Sequence, residues 1–338
     1  MTFRSSWVGS AKLITGAFGA VMNGLTSSMP SGADRNIDML IGGQAVIEGV
    51  MMRSLTGFSV AVRQPDGGVA IKRDKLVSVT RKYPFLKLPV LRGSVVLIQS
   101  LILGMRALNY SAGVATENEA GEQEMSSWAV AGSMIIALLL GVGVFILAPL
   151  GLTNLIRHYL MPSMSNFTYN AIDGLIRAVL FFVYIISISY MKEIRRVFQY
   201  HGAEHKTVYT FEANEDLTVE NARVKSTLHP RCGTTFLMFL MAISIAVFSL
   251  IPSTMPFAVK FLARVVFIPL IAGLAYEVIR FCARHLSNPV CRALVQPGFW
   301  LQMITTKEPD DSQLEIAITA LKTALAYDII EPTQAAVA

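Results

Sequence analysis

The sequence predicts a polytopic α-helical membrane protein: four transmembrane helices, a small cytoplasmic β-rich unit near the N-terminus and an amphipathic helix near the C-terminus. Three observations predict this class: four long apolar stretches, an uneven distribution of Lys and Arg, and a composition with 53% hydrophobic and 15% charged residues over 338 positions. A typical soluble domain has about 25% charged residues. The composition therefore argues against an ordinary soluble enzyme and against a disordered chain.

Four apolar stretches are candidates for crossing a bilayer. Residues 128–150 carry no charged side chain. At about 1.5 Å per residue they can cross a hydrocarbon core of about 30 Å. The other three stretches are 175–191, 234–252 and 257–279. A proline-containing turn separates the last two, so we count four spans.

The orientation follows from Lys and Arg in the connections between spans. The connection 192–232 carries seven of them, whereas the connection 151–174 carries only Arg157. Cytoplasmic connections are the basic ones, so we expect a protein of the cell (inner, cytoplasmic) membrane with both termini in the cytoplasm. Lys260 and Arg264 are then expected at the outer end of the fourth span, with their side chains reaching outward. The net charge of +6 thus reflects topology and gives no support for a sequence-specific nucleic-acid partner.

Two N-terminal segments touch the bilayer without clearly spanning it. The extension 1–37 has apolar residues at helical spacing and predicts a surface helix, with a signal peptide as the alternative. In the segment 87–110, the stretch 88–108 is apolar except for Arg92, Gln99 and Arg106, which repeat every seven residues and share one helix face. We expect an interfacial or re-entrant helix here, since a fifth span would reverse the sidedness of the basic N-terminal region. An acidic linker, 111–127, follows.

Strand alternation in residues 38–86 predicts the β-rich unit, with a hairpin at Gln64–Gly68 where Pro and Gly favour a turn. At the other end, Ser312 and Glu315 match a capping box. Leu314, Ile318, Leu321 and Leu325 form one face of the helix that follows. We expect this helix to pack on the β-rich unit.

The sharpest motif is H-x-x-E-H within YHGAEHK at 200–206. On a helix, His201 and His205 share a face and can present both imidazoles to one cation, with Glu204 beside them. Metallopeptidases with the inverted zinc signature use this arrangement: the histidines bind zinc and the Glu polarises the attacking water. The alternative is a solvated juxtamembrane helix whose histidines have no role.

Further metal ligands are predicted on the same side of the membrane. His229 and Cys232 lie together in HPRC. A catalytic zinc needs three protein ligands plus water, and a structural one needs four. Glu277, at the inner end of the fourth span, is a candidate third ligand or a partner of a ligating His, or else it pairs with Arg280. Cys232 could instead be a buried apolar residue, and a second, weaker donor set comprises Cys282, His285 and Cys291.

Four blocks carry a family resemblance: GGQAVIEGVMMR at 42–53, YHGAEHK, HPRCGT at 229–234, and the segment 297–311. With these blocks in this order, the chain resembles the DUF1385 (YqhQ-like) family over about residues 38 to 327. This is a membrane family of unassigned function, often labelled a predicted metal-dependent enzyme. The resemblance implies His201, Glu204 and His205 as the metal motif and supplies no substrate. In the first block Glu48 and Arg53 are the polar candidates, although Glu48 could simply pair with a neighbouring Arg.

These features together predict a membrane-embedded, cytoplasm-facing hydrolase that uses a divalent metal, zinc above all, on a peptide or lipid-linked substrate. The alternative is a non-enzymatic membrane adaptor that docks a cytoplasmic partner such as the ribosome, the translocon or anionic lipid, with at most a structural metal. The expected partners are the lipid bilayer and an unidentified cytoplasmic or membrane protein. A homo-oligomer is left open.

Overall fold

The computed structural model describes residues 41–54, 56–76, 83–116 and 127–330. In these parts of the chain helices predominate, and an antiparallel sheet of four strands precedes them. The predicted N-terminal surface helix lies outside the described residues. The predicted linker 111–127 does so for the most part, but its first residues, up to Thr116, continue a helix.

The sheet is a simple meander in the order β1-β2-β3-β4. Its strands are β1 (Gly42–Val46), β2 (Gly49–Arg53), β3 (Gly57–Arg63) and β4 (Val69–Lys75). The backbone N–H of Gln64 donates to the Gly68 carbonyl at 2.9 Å, which confirms the predicted hairpin. The run GQAVIEGVMMR forms two strands, because a tight turn at Ile47 and Glu48 divides it, with Glu48 at φ 51°.

The helices begin and end as follows: α1 (Leu91–Thr116), α2 (Ser127–Val142), α3 (Ala148–Tyr159), α4 (Asn166–Ser189), α5 (Lys192–Glu212), α6 (Val219–Arg223), α7 (Gly233–Phe248), α8 (Phe257–Val266), α9 (Ile268–Arg284), α10 (Pro289–Thr305) and α11 (Asp311–Ile330). A π-helical segment, Gly143–Leu147, joins α2 to α3 without a break. A short 3₁₀ helix, Pro84–Lys87, precedes α1.

Three helical stretches of the described chain are long and apolar enough to cross a membrane: Leu91–Ala115, Ile135–Tyr159 and Asn166–Ser189. Helices α8 and α9, bent by 44° at Phe267, make a fourth if they count as one span. Helix α7 is apolar but only 16 residues long. Large apolar side chains on these helices face outward, for example Leu138 at 67% exposure, as is expected of a surface covered by lipid.

Helix α1 covers most of the segment 87–110, and of the two expected forms it argues only against the re-entrant one. It is one continuous helix of 26 residues, without the break that a re-entrant segment needs. Its first turns pack on α9, where Gly93 lies against Tyr276. In its second half Leu103, Ala107 and Val114 pack under the sheet against Met51 and Val60.

Helix α11 packs on the other face of the sheet and also on α5, which confirms its predicted docking on the β-rich unit. Leu314, Ile316, Leu321 and Ala324 are buried around Val50, Met52 and Tyr200. Because the helix is buried on both sides, it lacks the broad polar face of an amphipathic helix, and that part of the prediction is wrong. We call β1–β4, α5, α6 and α11 together the sheet body.

The predicted capping box at Ser312 and Glu315 is misplaced by two residues. The observed box is Asp310 with Gln313: the Asp310 side chain accepts from the Gln313 N–H at 2.9 Å, and the Gln313 side chain accepts from the Asp310 N–H at 3.0 Å. Two overlapping matches to the same pattern exist here, and the earlier one is used because the segment before it is held on α5 by a hydrogen bond from the Lys307 N–H to the Phe198 carbonyl.

Candidate metal centre

The H-x-x-E-H motif lies on α5, as predicted. His201 and His205 are one turn apart, with ring centroids separated by 4.5 Å. Cys232 is the N-cap residue of α7, and its thiol faces both rings. One donor atom from each of His201, His205 and Cys232 lies within 4.8 Å of the other two, and the His201 Nε2 to Cys232 Sγ distance is 3.2 Å.

Both imidazoles are oriented by backbone carbonyls. His201 Nδ1 donates to the Thr305 carbonyl at 2.8 Å, and His205 Nδ1 donates to the Thr227 carbonyl at 2.5 Å. A carbonyl can only accept, so each Nδ1 carries a proton, and Nε2 is the ring nitrogen that each histidine turns toward the thiol and would offer to a metal. Metal-binding histidines are typically held in this way by a partner on the second ring nitrogen.

The cluster polarises its own thiol. Burial by itself favours the neutral thiol, but the positive charges of His201 and His205 and the hydrogen bonds from them hold the pKa of Cys232 well below its usual value. Burial opposes a charge on His201 as well, yet the thiolate, Glu204 and the Thr305 carbonyl together raise the pKa of His201 to about 9. Without a metal, the site is therefore an imidazolium beside a thiolate.

Glu204 lies next to the cluster but outside the set of three donors. Its Oε1 accepts from the Gly43 N–H of β1 at 2.9 Å, and the side chain is only 8% exposed. A Cβ on Gly43 would stand 2.5 Å from the Met51 carbonyl and 2.9 Å from Glu204 Cγ, so glycine is required for this approach. Within the described residues Oε2 has no hydrogen-bond partner, which leaves it available for a proton.

The glycine inside the motif also has a structural reason. The chain after α10 crosses α5 at Gly202, where a Cβ would lie 2.1 Å from the Lys307 carbonyl oxygen. This segment, 305–311, carries the Thr305 carbonyl that orients His201. By intrinsic propensity alone, a glycine inside a helix only weakens it. Its presence instead lets the segment that supports the cluster lie directly on α5.

His229 is close to the cluster but points away from it. Its Nδ1 accepts from the Arg231 N–H at 3.3 Å, and its Nε2 faces a Glu212 carboxylate oxygen at 3.4 Å. Burial lowers the pKa of His229 to about 4, despite the nearby Cys232 and Glu204, so the ring is neutral. Because both ring nitrogens make these contacts, neither is directed at the donor atoms of His201, His205 and Cys232. The structure therefore does not bring His229 into the donor set for which it was predicted.

Glu277 is not near the cluster either. Its carboxylate forms a bidentate ion pair with Arg92 of α1, with one bond from Nε at 2.6 Å and another from Nη2. It therefore anchors α1 on α9, and its expected alternative partner Arg280 does not form this pair. The weaker donor set does not form a group of three: Cys282 and Cys291 are buried in one apolar cluster with a hydrogen bond between their side chains, while exposed His285 bonds the Phe281 carbonyl.

In the first block, Glu48 forms an ion pair with Arg196 of α5, with one hydrogen bond at 2.5 Å. This is the pairing with an Arg that the sequence offered as the alternative for Glu48. Arg53 ends β2, half-buried, opposite Gly42.

Sequence reasoning missed the groups that orient the site. The carbonyls of Thr227 and Thr305 and the N–H of Gly43 are backbone atoms, and no residue type marks them. The available signal was positional: Gly43 and Thr305 both lie inside blocks that carry the family resemblance.

Comparisons with known proteins agree with the resemblance, although the match to the family model begins after the first block at 42–53. The family model described as "Protein of unknown function (DUF1385)" matches residues 88–327. The "Uncharacterized protein YqhQ" of Bacillus subtilis (strain 168) is 35% identical over 308 residues, covering 86% of this chain and 93% of that protein. No solved structure matches. The chain therefore belongs to the DUF1385 family.

Proposed function

We propose that the protein is a multi-pass protein of the cell membrane with both termini and the metal centre on the cytoplasmic side. The sheet body supports this, because it joins chain segments that precede α1, lie between α4 and α7, and follow α10. Segments that pack into one body lie on one side of a bilayer. An even number of crossings must therefore separate them, and the basic connection 192–232 assigns the body to the cytoplasm.

This parity supports four crossings. Before α5 the candidates are α1, the α2–α3 rod and α4. Helix α1 contacts α9 at its start and the sheet in its second half, so we assign it to the cytoplasmic boundary and assign two crossings to the other pair. After α5 the two crossings are α7 and the bent pair α8–α9. At about 1.5 Å per residue, α7 is about 24 Å long, a short span that requires some thinning of the bilayer.

At the cytoplasmic boundary we propose a zinc-dependent hydrolase acting on a peptide or lipid-linked substrate. The observation that carries the proposal is the donor set: two Nε2 atoms and one thiolate converge, with both imidazoles already oriented by carbonyls. Nitrogen and sulfur donors are those that zinc prefers, and three rather than four donors is the pattern of catalytic sites. Zinc bound here would supply a Lewis acid that makes water more acidic.

The chain's own residues then have distinct roles. His201, His205 and Cys232 hold the ion at the junction between α5 and the start of α7. Glu204, fixed through Oε1 by the Gly43 N–H, accepts a proton at Oε2. The segment 305–311 keeps the His201 ring in its orientation through the Thr305 carbonyl.

A second function is favoured by one observation, the burial of the donors. His205 is 2% and Cys232 6% exposed, which suits an ion that staples α5 to α7 in an adaptor for a cytoplasmic partner. The two functions differ in whether a fourth coordination position is open to small molecules.

Cobalt substitution separates them. Purified full-length protein is loaded with Co²⁺, whose spectrum reports thiolate ligation and coordination number. We expect a thiolate-to-cobalt band that Cys232→Ser removes and His285→Ala retains, and one metal per chain that His201→Ala abolishes. Added acetohydroxamate should change the cobalt spectrum if the fourth position is open. If acetohydroxamate leaves the cobalt spectrum unchanged, the hydrolase is rejected and the adaptor remains.

Glu204→Gln tests the catalytic base. We expect the variant to bind metal as the wild type does and to lose function in cells that depend on this gene. Glu193→Gln, an exposed change on the same helix, is the matched control. Full function in Glu204→Gln would contradict the hydrolase.

A further inference from the structure

Four cationic side chains gather at the end of the helices opposite the metal centre. They are Arg157 of α3, Arg177 of α4, and Lys260 and Arg264 of α8, and we call them the cationic cluster. Lys260 is only 4% and Arg264 only 2% exposed, so the expectation that their side chains reach outward is wrong. Among the described residues, Asp173 is the one carboxylate that forms ion pairs with this cluster.

The two oxygens of Asp173 are already committed. Oδ1 accepts from Arg264 at 2.7 Å, and Oδ2 accepts from Arg177 at 3.1 Å. Lys260 and Arg157 consequently bond only neutral oxygens. Lys260 donates to the Asn154 and Tyr169 side chains at 3.0 and 2.9 Å, and Arg157 donates to the Ser253 carbonyl at 2.6 Å.

This arrangement leaves an excess of positive charge, because four cations surround one carboxylate. A buried charge without a counter-charge is costly, and charged groups within a membrane protein usually face a partner or a polar cavity. The Nε atoms of Arg177 and Arg264 are also buried without a hydrogen-bond acceptor. Aromatic rings offset part of this excess, since Arg177 and Arg264 lie over the Phe248 ring and Lys260 and Arg157 over the Tyr169 ring, but the rings carry no counter-charge.

A cavity of about 390 Å³ lies beside the cluster, lined by Asn154, Arg157, His158 and Pro162. Its volume is within the range of roughly 300–1,000 Å³ that is typical of small-molecule sites. The Asn154 side-chain oxygen already accepts from Lys260 and from the Tyr169 hydroxyl, so the amide nitrogen is the group left to bind a ligand. Asn154 and Arg157 therefore both offer N–H donors to the cavity.

We propose that this cavity binds a phosphate group, which Arg157 and Asn154 contact directly while Lys260 and Arg264 supply positive charge from behind. The planar guanidinium of Arg157 matches a phosphate in both charge and shape. A phosphate monoester carries up to about two negative charges and a phosphodiester carries one, so either offsets part of the excess charge. The group belongs either to a phospholipid headgroup or to a free phosphate compound. The site is separate from the proposed hydrolase and does not rest on it.

Thermal unfolding of the full-length protein in an uncharged detergent tests the proposal. The probes are inorganic phosphate and dioctanoyl phosphatidylglycerol, with chloride at the same ionic strength as the reference. We expect saturable stabilisation of the wild type, with a Kd that Arg157→Gln weakens by roughly tenfold or more, the effect of one lost charged hydrogen bond. Arg195→Gln, an exposed change on α5, should leave the Kd unchanged.

The two probes also identify the source of the phosphate group. Stabilisation by inorganic phosphate supports a free phosphate ligand, and stabilisation by the phosphatidylglycerol alone supports a lipid headgroup. The proposal is overturned if neither probe stabilises the protein beyond chloride, or if Arg157→Gln responds as the wild type does. Should Arg157→Gln fail to fold, exposed His158→Gln replaces it, with an expected weakening of roughly threefold. An unchanged Kd in that variant would count against the site.

Discussion

A buried cluster of polar side chains lies at each end of α7, and the two clusters offer opposite kinds of group to a ligand. At the start of the helix, His201, His205 and Cys232 bring three donor atoms within 4.8 Å of one another. At its end, the ring of Phe248 lies 5.1 Å from both Arg177 and Arg264, within a cluster where cations outnumber carboxylates. In each case the hydrogen bonds within the protein show which atoms remain for a ligand. The Nδ1 atoms of the two histidines donate to carbonyls, which leaves the Nε2 atoms for a metal. The Asp173 oxygens accept from two arginines, which leaves the N–H groups of the other cations for an anion.

The largest expected effect is at the cationic cluster. Asp173→Asn removes the counter-charge of Arg264 and Arg177, and breaking a buried ion pair typically costs about 3–5 kcal/mol. We expect the free energy of unfolding in detergent to fall by about that amount, with partial recovery in phosphate. Asp216→Asn, on an exposed residue, is the control. Equal stability of the two variants would show that the cluster does not depend on its carboxylate.

The next effect tests the support of the metal centre. Gly202→Ala places a methyl group against the Lys307 carbonyl, and overpacking of this kind costs about 1–3 kcal/mol. Since the displaced segment carries the Thr305 carbonyl, we also expect reduced zinc content by elemental analysis. Gly233→Ala is the matched control, because a Cβ there meets open space. Normal zinc content in Gly202→Ala would mean that the Thr305 carbonyl does not orient His201.

A smaller effect distinguishes the donors from their neighbour. His229→Gln should keep one metal per chain, since neither nitrogen of His229 faces the donor atoms. The lost contact with Glu212 should cost about 1 kcal/mol of stability. Metal loss in a folded His229→Gln variant would show that His229 is a ligand, as His201 and His205 are proposed to be, and would contradict its position outside the donor set.

The smallest effect is expected where charges are balanced and exposed. The Arg196 side chain is 51% exposed and pairs with Glu48. Exposed ion pairs contribute at most about 1 kcal/mol, so Arg196→Gln should lower the free energy of unfolding by less than that. Denaturant titration beside Asp173→Asn checks the contrast. A comparable loss in both variants would show that burial does not govern the two ion pairs.

Local patterns in the sequence predicted the parts of the fold that local chemistry determines. The Gln64–Gly68 hairpin, the β-rich unit and the helical H-x-x-E-H motif all follow from turn residues and periodicity, although the division of GQAVIEGVMMR into two strands does not. Helical spacing also places His201 and His205 on one face, but it left the third donor open among His229, Cys232 and Glu277, and the approach of Cys232 to both rings is a tertiary contact.

What could not be predicted depends on contacts between distant segments. Glu277 forms its ion pair with Arg92, which is 185 residues away in the sequence, rather than with Arg280 on its own helix. Lys260 and Arg264 turn inward because α4 supplies Asp173 and Tyr169, and amphipathic spacing alone does not show which neighbour faces them. The capping box failed for a different reason, since the sequence contains two overlapping matches and an interaction with α5 selects between them.

The packing of α11 on the sheet sets the order in which the protein can be completed during synthesis. The Ser59 hydroxyl bonds the Ala320 carbonyl, a contact that spans 261 residues. At roughly 5–20 residues per second, the sheet leaves the ribosome about ten to fifty seconds before its covering helix is made. During that time Val50 and Ala61 lack their final neighbours, so the apolar face that α11 later covers is open on the nascent sheet. A chain truncated before α11 should accumulate poorly even though every span is intact.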